Sequence, residues 1–253
     1  MARHLSFRSG NPALNKNSFK NLTVDRSRGP ILRNELMTIR GTVDKTAISL
    51  MLMIASGYYT FSEQIASLIW PGAIVGSIIA IITIFRKHYA PITVPLYALS
   101  QGLFLGGISF MYAQLFEGIV YNAILLTVTI LFSLLLAYRS GIIKPTENFK
   151  LGIFAATGGI ALFYFVSIIA SFFGTGFSVL DPTNGSMTSI LVSLFVVIIA
   201  SLNLVLDFDF IEEASENGAP KYMEWYGAFG LLVTLVWLYL EILRLLAKIN
   251  SRD

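Results

Sequence analysis

The sequence predicts an all-α polytopic membrane protein, a bundle of seven transmembrane helices. Of its 253 residues, 55% are hydrophobic and only 13% are charged, whereas soluble domains carry about 25% charged residues. Seven long apolar runs divide the chain, and basic residues fall in alternate segments between them. Because too little polar sequence remains to cover a soluble surface, the lipid bilayer is the expected environment of the chain.

The seven apolar runs give the predicted helices in order. A bilayer core requires about 20 helical residues, with a range near 17–25, and only the first run, TAISLMLMIASGYYTFS, is at the short end of that range. Backbone groups in lipid must form their hydrogen bonds internally, so each run is predicted to be a helix. The predicted transmembrane domain covers residues 46–253, with helices at about 46–62, 65–85, 90–116, 119–138, 151–173, 187–210 and 222–247.

Residues 1–45 precede the first predicted helix and are rich in lysine and arginine. They lack the hydrophobic core of a signal peptide. We therefore expect a retained, flexible and basic cytoplasmic tail.

The charges of the loops predict the orientation. Lysine or arginine occurs in the loops after the second, fourth and sixth runs and is absent from the loops after the first, third and fifth. The positive-inside rule then places the N-terminus in the cytoplasm. Seven spans put the C-terminus outside, although Arg244, Lys248 and Arg252 make that end basic. Either the last segment is re-entrant, which leaves six spans, or Arg244 has a buried partner; seven spans are preferred.

Small residues indicate how two helices meet. Gly72 and Gly76 lie four residues apart in the second run, and Ala98, Gly102 and Gly106 follow the same spacing in the third. This spacing places small side chains on one stripe and lets helix backbones approach closely. The fourth run, NAILLTVTILFSLLLAY, has many leucines and no glycine, which indicates that it faces lipid.

Acidic residues in the last two runs are the candidate functional residues. A carboxylate at the membrane centre costs about 2.5–3.5 kcal/mol, and such groups usually face the interior of a bundle. Asp207 lies about 20 residues past the start of the sixth run, and Asp209 projects about 200° further around the helix. Glu241 lies well inside the seventh run, and Arg244 is close enough in sequence to pair with it on one helix face.

Two of these acids are predicted to form a coupled pair. The sixth and seventh helices are antiparallel neighbours by default, so Asp207 and Glu241 could approach each other within the membrane. Two carboxylates in one low-dielectric site cannot both ionise easily. Such a pair could hold a proton, or transiently a calcium ion, which prefers several oxygen ligands. With Gln101 as a neutral hydrogen-bonding neighbour, and Asp209 and Arg244 in support, it would suit a pH-gated cation pathway; no other cofactor is expected.

Three stretches carry a family resemblance: RSGNPAL (8–14), PITVPLYALSQGLFLGGIS (91–109), and residues 206–247, which begin LDFDFIEEA. With the seven-run layout, they resemble the Bax inhibitor-1 family, particularly its bacterial branch. The resemblance implies a bacterial inner-membrane protein with a central last helix and a pH-sensitive calcium leak. It also implies paired acids in helices 6 and 7, which Asp207 and Glu241 match. The family often has Asp at the second position and commonly has Glu where this chain has Gln101.

An enzyme is not expected. The Gly-x-Gly-Asp signature of intramembrane aspartyl proteases does not precede Asp207, and a rhomboid-like protease needs a buried histidine, whereas His4 and His88 lie outside the runs. A retinal protein needs a lysine inside its last helix, and Lys248 is at the end. A proton-linked transporter would show an inverted repeat, and none is found on inspection. The alternative function is a non-conducting scaffold that modulates other membrane proteins, such as the membrane protease with which some bacterial relatives are associated; nucleic acid is not an expected partner.

Overall fold

Seven long α-helices build the fold of residues 35–252, the part of the chain that the computed structural model describes. Short 3₁₀ turns lie in three of the connections, and a single antiparallel bridge joins Leu36 to Pro220. The helices are α1 (Ile39–Ser62), α2 (Ile69–Phe85), α3 (Ala90–Leu115), α4 (Ile119–Arg139), α5 (Glu147–Phe172), α6 (Met187–Glu216) and α7 (Met223–Asn250).

The start of α1 differs from the predicted boundary. α1 begins at Ile39 because the Thr38 side chain accepts a hydrogen bond from the Gly41 amide and caps the helix. Residues 39–45, which we assigned to the basic tail, are therefore the first two turns of α1. The rest of the predicted tail, residues 1–34, lies outside the described residues.

Six of the helices between residues 35 and 252 are long and apolar enough to cross a membrane. The exception, α1, carries Arg40, Asp44 and Lys45 in its first two turns, although its 24 residues are long enough to span. α7 is continuous over 28 residues, or about 42 Å at the rise of an α-helix. A re-entrant segment turns back within the membrane, and α7 shows no such turn, which favours the preferred seven spans.

The predicted small-residue stripes are confirmed as backbone contacts. A Cβ atom added at Gly106 would lie 2.2 Å from the Gly57 carbonyl oxygen of α1, and one at Gly102 would lie 2.2 Å from the Met53 carbonyl oxygen. On the other side of α3, a Cβ at Gly72 of α2 would lie 2.8 Å from the Ser100 carbonyl oxygen. α1 and α2 therefore pack on α3 with no room for side chains between the backbones.

α7 is the central helix, and α4 and α5 are the peripheral ones. α7 packs against α1, α3, α4 and α6, and most of its membrane-spanning part is buried. α4 presents Leu125, Phe132 and Leu136 outward, as its leucine-rich sequence predicted. α5 packs mainly against α6. Asp207 and Glu241 thus lie on the two most deeply buried helices of the described bundle.

Candidate functional site

One antiparallel register sets the interface between α6 and α7. The Thr234 hydroxyl donates a hydrogen bond to the Asp207 carboxylate, and the Lys248 ammonium donates one of 2.7 Å to the Ser193 hydroxyl. Ser193 and Asp207 are 14 residues apart on α6, and Thr234 and Lys248 are 14 residues apart on α7. Both contacts therefore belong to the same antiparallel register. Halfway between the contacts, this register places Ala200 opposite Glu241. We call this line the α6–α7 seam; it consists of Ser193, Ala200 and Asp207 on α6 and Thr234, Glu241 and Lys248 on α7.

Asp207 lies inside the bundle, as its sequence position predicted. It is 0% exposed, and its Oδ2 atom accepts the hydrogen bond from Thr234 Oγ1 at 2.5 Å. Its neighbours in sequence on α6, Val205, Leu206 and Phe208, are also buried and apolar. A buried carboxylate in such surroundings depends on its hydrogen bonds for stability.

Glu241 is held by a three-residue network. It is 2% exposed, and Arg244 Nη1 lies 2.9 Å from each of its carboxylate oxygens. The Tyr164 hydroxyl of α5 donates to Glu241 Oε1 at 2.7 Å and accepts a hydrogen bond of 2.9 Å from Arg244 Nη1. The predicted pair of Glu241 with Arg244 is confirmed. Tyr164 was not predicted, because nothing in the sequence indicates which α5 residue faces α7.

The direct approach of Asp207 to Glu241 that we expected is not found in this structure. Asp207 is bonded to Thr234, which lies two helical turns, or about 10 Å, along α7 from Glu241. The physical reason is the register, which places Ala200 rather than Asp207 opposite Glu241. The two acids therefore occupy separate depths of the seam, each with its own partner.

Asp209 faces α5 instead of the seam, as its angular position predicted. It forms an ion pair with Lys150, whose side chain is 6% exposed in the first turn of α5. We counted Lys150 among the loop charges, and this was wrong because α5 begins at Glu147. The ion pair of Asp209 fastens the start of α5 to α6.

Gln101 is buried but lies in another interface. A Cβ at Gly76 of α2 would lie 2.4 Å from Gln101 Nε2, so the amide packs directly on that glycine. This contact places Gln101 between α2 and α3. We expected Gln101 to be a neighbour of the Asp207–Glu241 pair, and the structure does not place it there.

Glu224 and Lys248 are buried charged residues that we did not single out. Glu224 accepts hydrogen bonds from the Thr38 amide and hydroxyl, at 3.1 and 2.8 Å, and so ties α7 to the cap of α1. Lys248 lies in the last turn of α7, as expected, but it is fully buried there. One signal was available for Lys248: it repeats the seven-residue spacing of Thr234 and Glu241.

The carboxylates do not gather into a dedicated metal site. In the described part of the chain, no group of three or more His, Cys, Asp or Glu side chains is close enough to hold a metal ion. Calcium takes six to eight oxygen ligands. Each acid has a hydroxyl neighbour, Thr234 beside Asp207 and Tyr164 beside Glu241, so each place offers only a few oxygen atoms. Such a place suits a passing cation better than a tightly held one.

The fold and the buried acids of the seam define an all-α polytopic membrane protein with charged groups inside its central helices. Residues 11–251 match the family described as Bax inhibitor 1 like. The match covers nearly the whole sequence, so the chain belongs to that family, as the resemblance indicated. No curated protein and no solved structure matches the chain significantly.

Proposed function

We propose that this chain is a pH-sensitive cation leak channel of the bacterial plasma membrane, with calcium as the expected ion. The observation that supports the proposal is the pair of buried carboxylates, Asp207 and Glu241, at two depths of the α6–α7 seam. Ionisable groups within membrane spans are rare and generally mark an ion pathway or a proton relay. Seen along the seam, the two acids are successive positions at which a cation or a proton could be held.

The contacts of Glu241 suggest how protonation would act on the pathway. The ionised carboxylate holds Arg244 of its own helix and Tyr164 of α5. A proton on Glu241 would remove the countercharge of Arg244 and weaken both hydrogen bonds. α5 and α7 would then lose one of their connections. In this proposal the described conformation is the non-conducting one, because Ala200, which the register places opposite Glu241, is fully buried.

Substitution of the two acids tests the proposal. We expect Asp207→Asn and Glu241→Gln each to flatten the dependence of calcium flux on pH in liposomes that contain the purified protein. The double variant should approach the sum of the two single effects, since the acids have separate partners and effects at separate sites usually add. The measurement is calcium entry between about pH 5 and 8, a range in which buried carboxyl groups can change their charge.

Glu117→Gln is the matched control, because Glu117 is an exposed acid in the α3–α4 loop. It should keep the wild-type pH profile. Asp209→Asn should affect the profile less than the seam variants, since Asp209 faces Lys150. If both seam variants keep the wild-type profile, the proposed role of the acids is wrong.

A non-conducting scaffold is the second candidate function. The observation in its favour is that each acid already has a structural partner, Thr234 for Asp207 and Arg244 for Glu241. A scaffold would use these contacts only to fix α7, and its target would be another membrane protein, such as a membrane protease. The same liposomes separate the two functions, because a scaffold passes no cation at any pH.

The proposed orientation has the N-terminus in the cytoplasm. The α5–α6 loop and the C-terminus lie at the same end of the bundle, where a Cβ at Gly185 would lie 2.9 Å from the Arg252 amide. Two of the three basic residues at that end, Arg244 and Lys248, form hydrogen bonds within the bundle. Their charges therefore weigh less against an external C-terminus than the sequence suggested.

Cysteine labelling tests this orientation, since the chain contains no native cysteine. We expect Gly176→Cys and Arg252→Cys to react with an impermeant thiol reagent added outside intact cells. Ser140→Cys, in the α4–α5 loop, should react only after the cells are opened. Each site is exposed. The opposite pattern would reverse the orientation, and labelling of positions 176 and 252 from different sides would contradict the fold.

A further inference from the structure

Lys248 is held in a cage of three uncharged oxygens. Its ammonium group donates hydrogen bonds to the Val179 carbonyl at 2.6 Å, the Ser193 hydroxyl at 2.7 Å and the Ser189 carbonyl at 3.4 Å. The whole residue is 0% exposed. Among the described residues, its ammonium has no carboxylate within ion-pair distance. Within the described residues, the buried lysine is therefore satisfied by neutral oxygens alone.

The chemistry of this cage is that of a cation site. An ammonium group is a compact point charge with three donors and no acceptor. Carbonyl and hydroxyl oxygens that accept its hydrogen bonds are also the ligands that hard metal cations take. The Lys248 ammonium thus occupies a place that a dissolved cation could occupy if the lysine were absent.

The cage lies at the end of the α6–α7 seam. Lys248 continues the line of Thr234 and Glu241 along α7, and the 3₁₀ turn Ser178–Leu180 covers it from the side of the α5–α6 loop. A cation that left the seam past Glu241 would meet this ammonium group next. The nearby charged groups are Glu241 and Arg244 on α7 and Asp181 in the loop.

Asp181 makes this end of the seam attractive to cations. Its carboxylate accepts hydrogen bonds from the Thr183 amide at 2.9 Å and the Thr183 hydroxyl at 2.7 Å. These bonds lower the pKa of Asp181, which is exposed and therefore stays ionised at neutral pH. A fixed negative charge thus lies outside the cage and a fixed positive charge lies within it.

We propose that Lys248 is a tethered cation that closes the C-terminal end of the α6–α7 seam. Its ammonium group fills the oxygen cage and repels any cation that approaches along the seam. The proposal rests on the proposed function, since it assigns Lys248 to the same cation pathway. It adds a closing element that is separate from the two acids and does not depend on their protonation.

Lys248→Met tests the proposal, because methionine keeps much of the length and apolar character of the side chain and removes its charge. We expect calcium flux at neutral pH to rise at least about tenfold. The substitution removes a charge repulsion, and in a partly buried site the energy of such a repulsion corresponds to more than about a tenfold change in rate. Lys248→Arg should stay near the wild-type flux. Lys221→Met, which removes a half-exposed lysine at the opposite end of the bundle, is the matched control and should not change it.

Ser193→Ala provides a second variant in case Lys248→Met does not fold. It removes one oxygen of the cage and keeps the lysine, so flux should rise above wild type without reaching the level expected for Lys248→Met. An unchanged flux in a folded Ser193→Ala protein, together with misfolding of Lys248→Met, would show that the lysine serves stability only and would overturn the proposal.

A thiol readout separates this proposal from the proposed function. With Ser193→Cys introduced alone, we expect the thiol to be protected from a small cationic reagent, and with Lys248→Met added we expect it to react. Reaction without cation flux in any variant would support Lys248 as the closing group and refute the channel. A protected thiol and unchanged flux in Lys248→Met would overturn the closing role, whatever flux the wild-type protein shows.

Discussion

Arg244→Ala is expected to lower the stability of the bundle by about 3 kcal/mol, the lower end of the range for breaking a buried ion pair. Arg244 is the ion-pair partner of Glu241, and its loss would leave a 2% exposed carboxylate with only the Tyr164 hydroxyl. The lower end applies because the Arg244 side chain is 27% exposed. For a chain of this size the midpoint of thermal unfolding should fall by roughly 6–12 °C, measured in detergent.

Two further variants show whether the loss comes from the unpaired acid. Arg139→Ala removes an exposed arginine at the end of α4 and should leave the midpoint unchanged. Adding Glu241→Gln to Arg244→Ala should recover much of the stability, because the buried negative charge is then gone. If Arg244→Ala unfolds at the wild-type temperature, Arg244 is better described as a residue that extends its charge to the membrane surface.

Gly106→Leu is expected to destabilise the protein even more, because the α1–α3 contact has no space for a side chain. A Cβ at this position would lie 2.2 Å from a backbone carbonyl oxygen, that of Gly57, which cannot move without shifting α1. Overpacking a core commonly costs about 1–3 kcal/mol. We expect Gly106→Ala to fall in that range and Gly106→Leu to exceed it, as read from the thermal midpoint and the yield of folded protein.

Gly158→Ala is the matched control, since it places the same methyl group on α5 where nothing lies within 4 Å. Alanine favours a helix over glycine by about 0.5–1 kcal/mol. The same chemical change should therefore stabilise α5 slightly while it destabilises α3. A Gly106→Ala protein as stable as wild type would mean that the two backbones can separate at no cost.

The helices were predictable because run length and apolar composition are local properties of the chain. The misplaced helix starts share one cause. Thr38 and Thr146 cap α1 and α5, and the first turns that follow carry charged residues. A search for apolar runs excludes such turns, so it begins these helices several residues late. Capping threonines followed by charged turns are a better indicator of helix starts here.

The site was predictable only where its contacts are local. Glu241 and Arg244 lie one turn apart on α7, and helix geometry alone brings them together. The relation of Asp207 to Glu241 depends on how far α6 is shifted along α7, and a single sequence does not encode this shift in any local pattern. Side-chain packing of the whole interface sets it. For the same reason Tyr164 and Lys150, which reach the site from α5, could not be assigned.

The seven-residue spacing along the seam limits the movements that are open to α7. Rotation of α7 about its own axis by one residue, about 100°, would turn Thr234, Glu241 and Lys248 away from α6 together. A slide that brought Glu241 opposite Asp207 would need a translation of about 10 Å. That slide would also draw Glu224 away from Thr38. A separation of α7 from α6 along its whole length needs neither, and it would part all three levels of the polar line together.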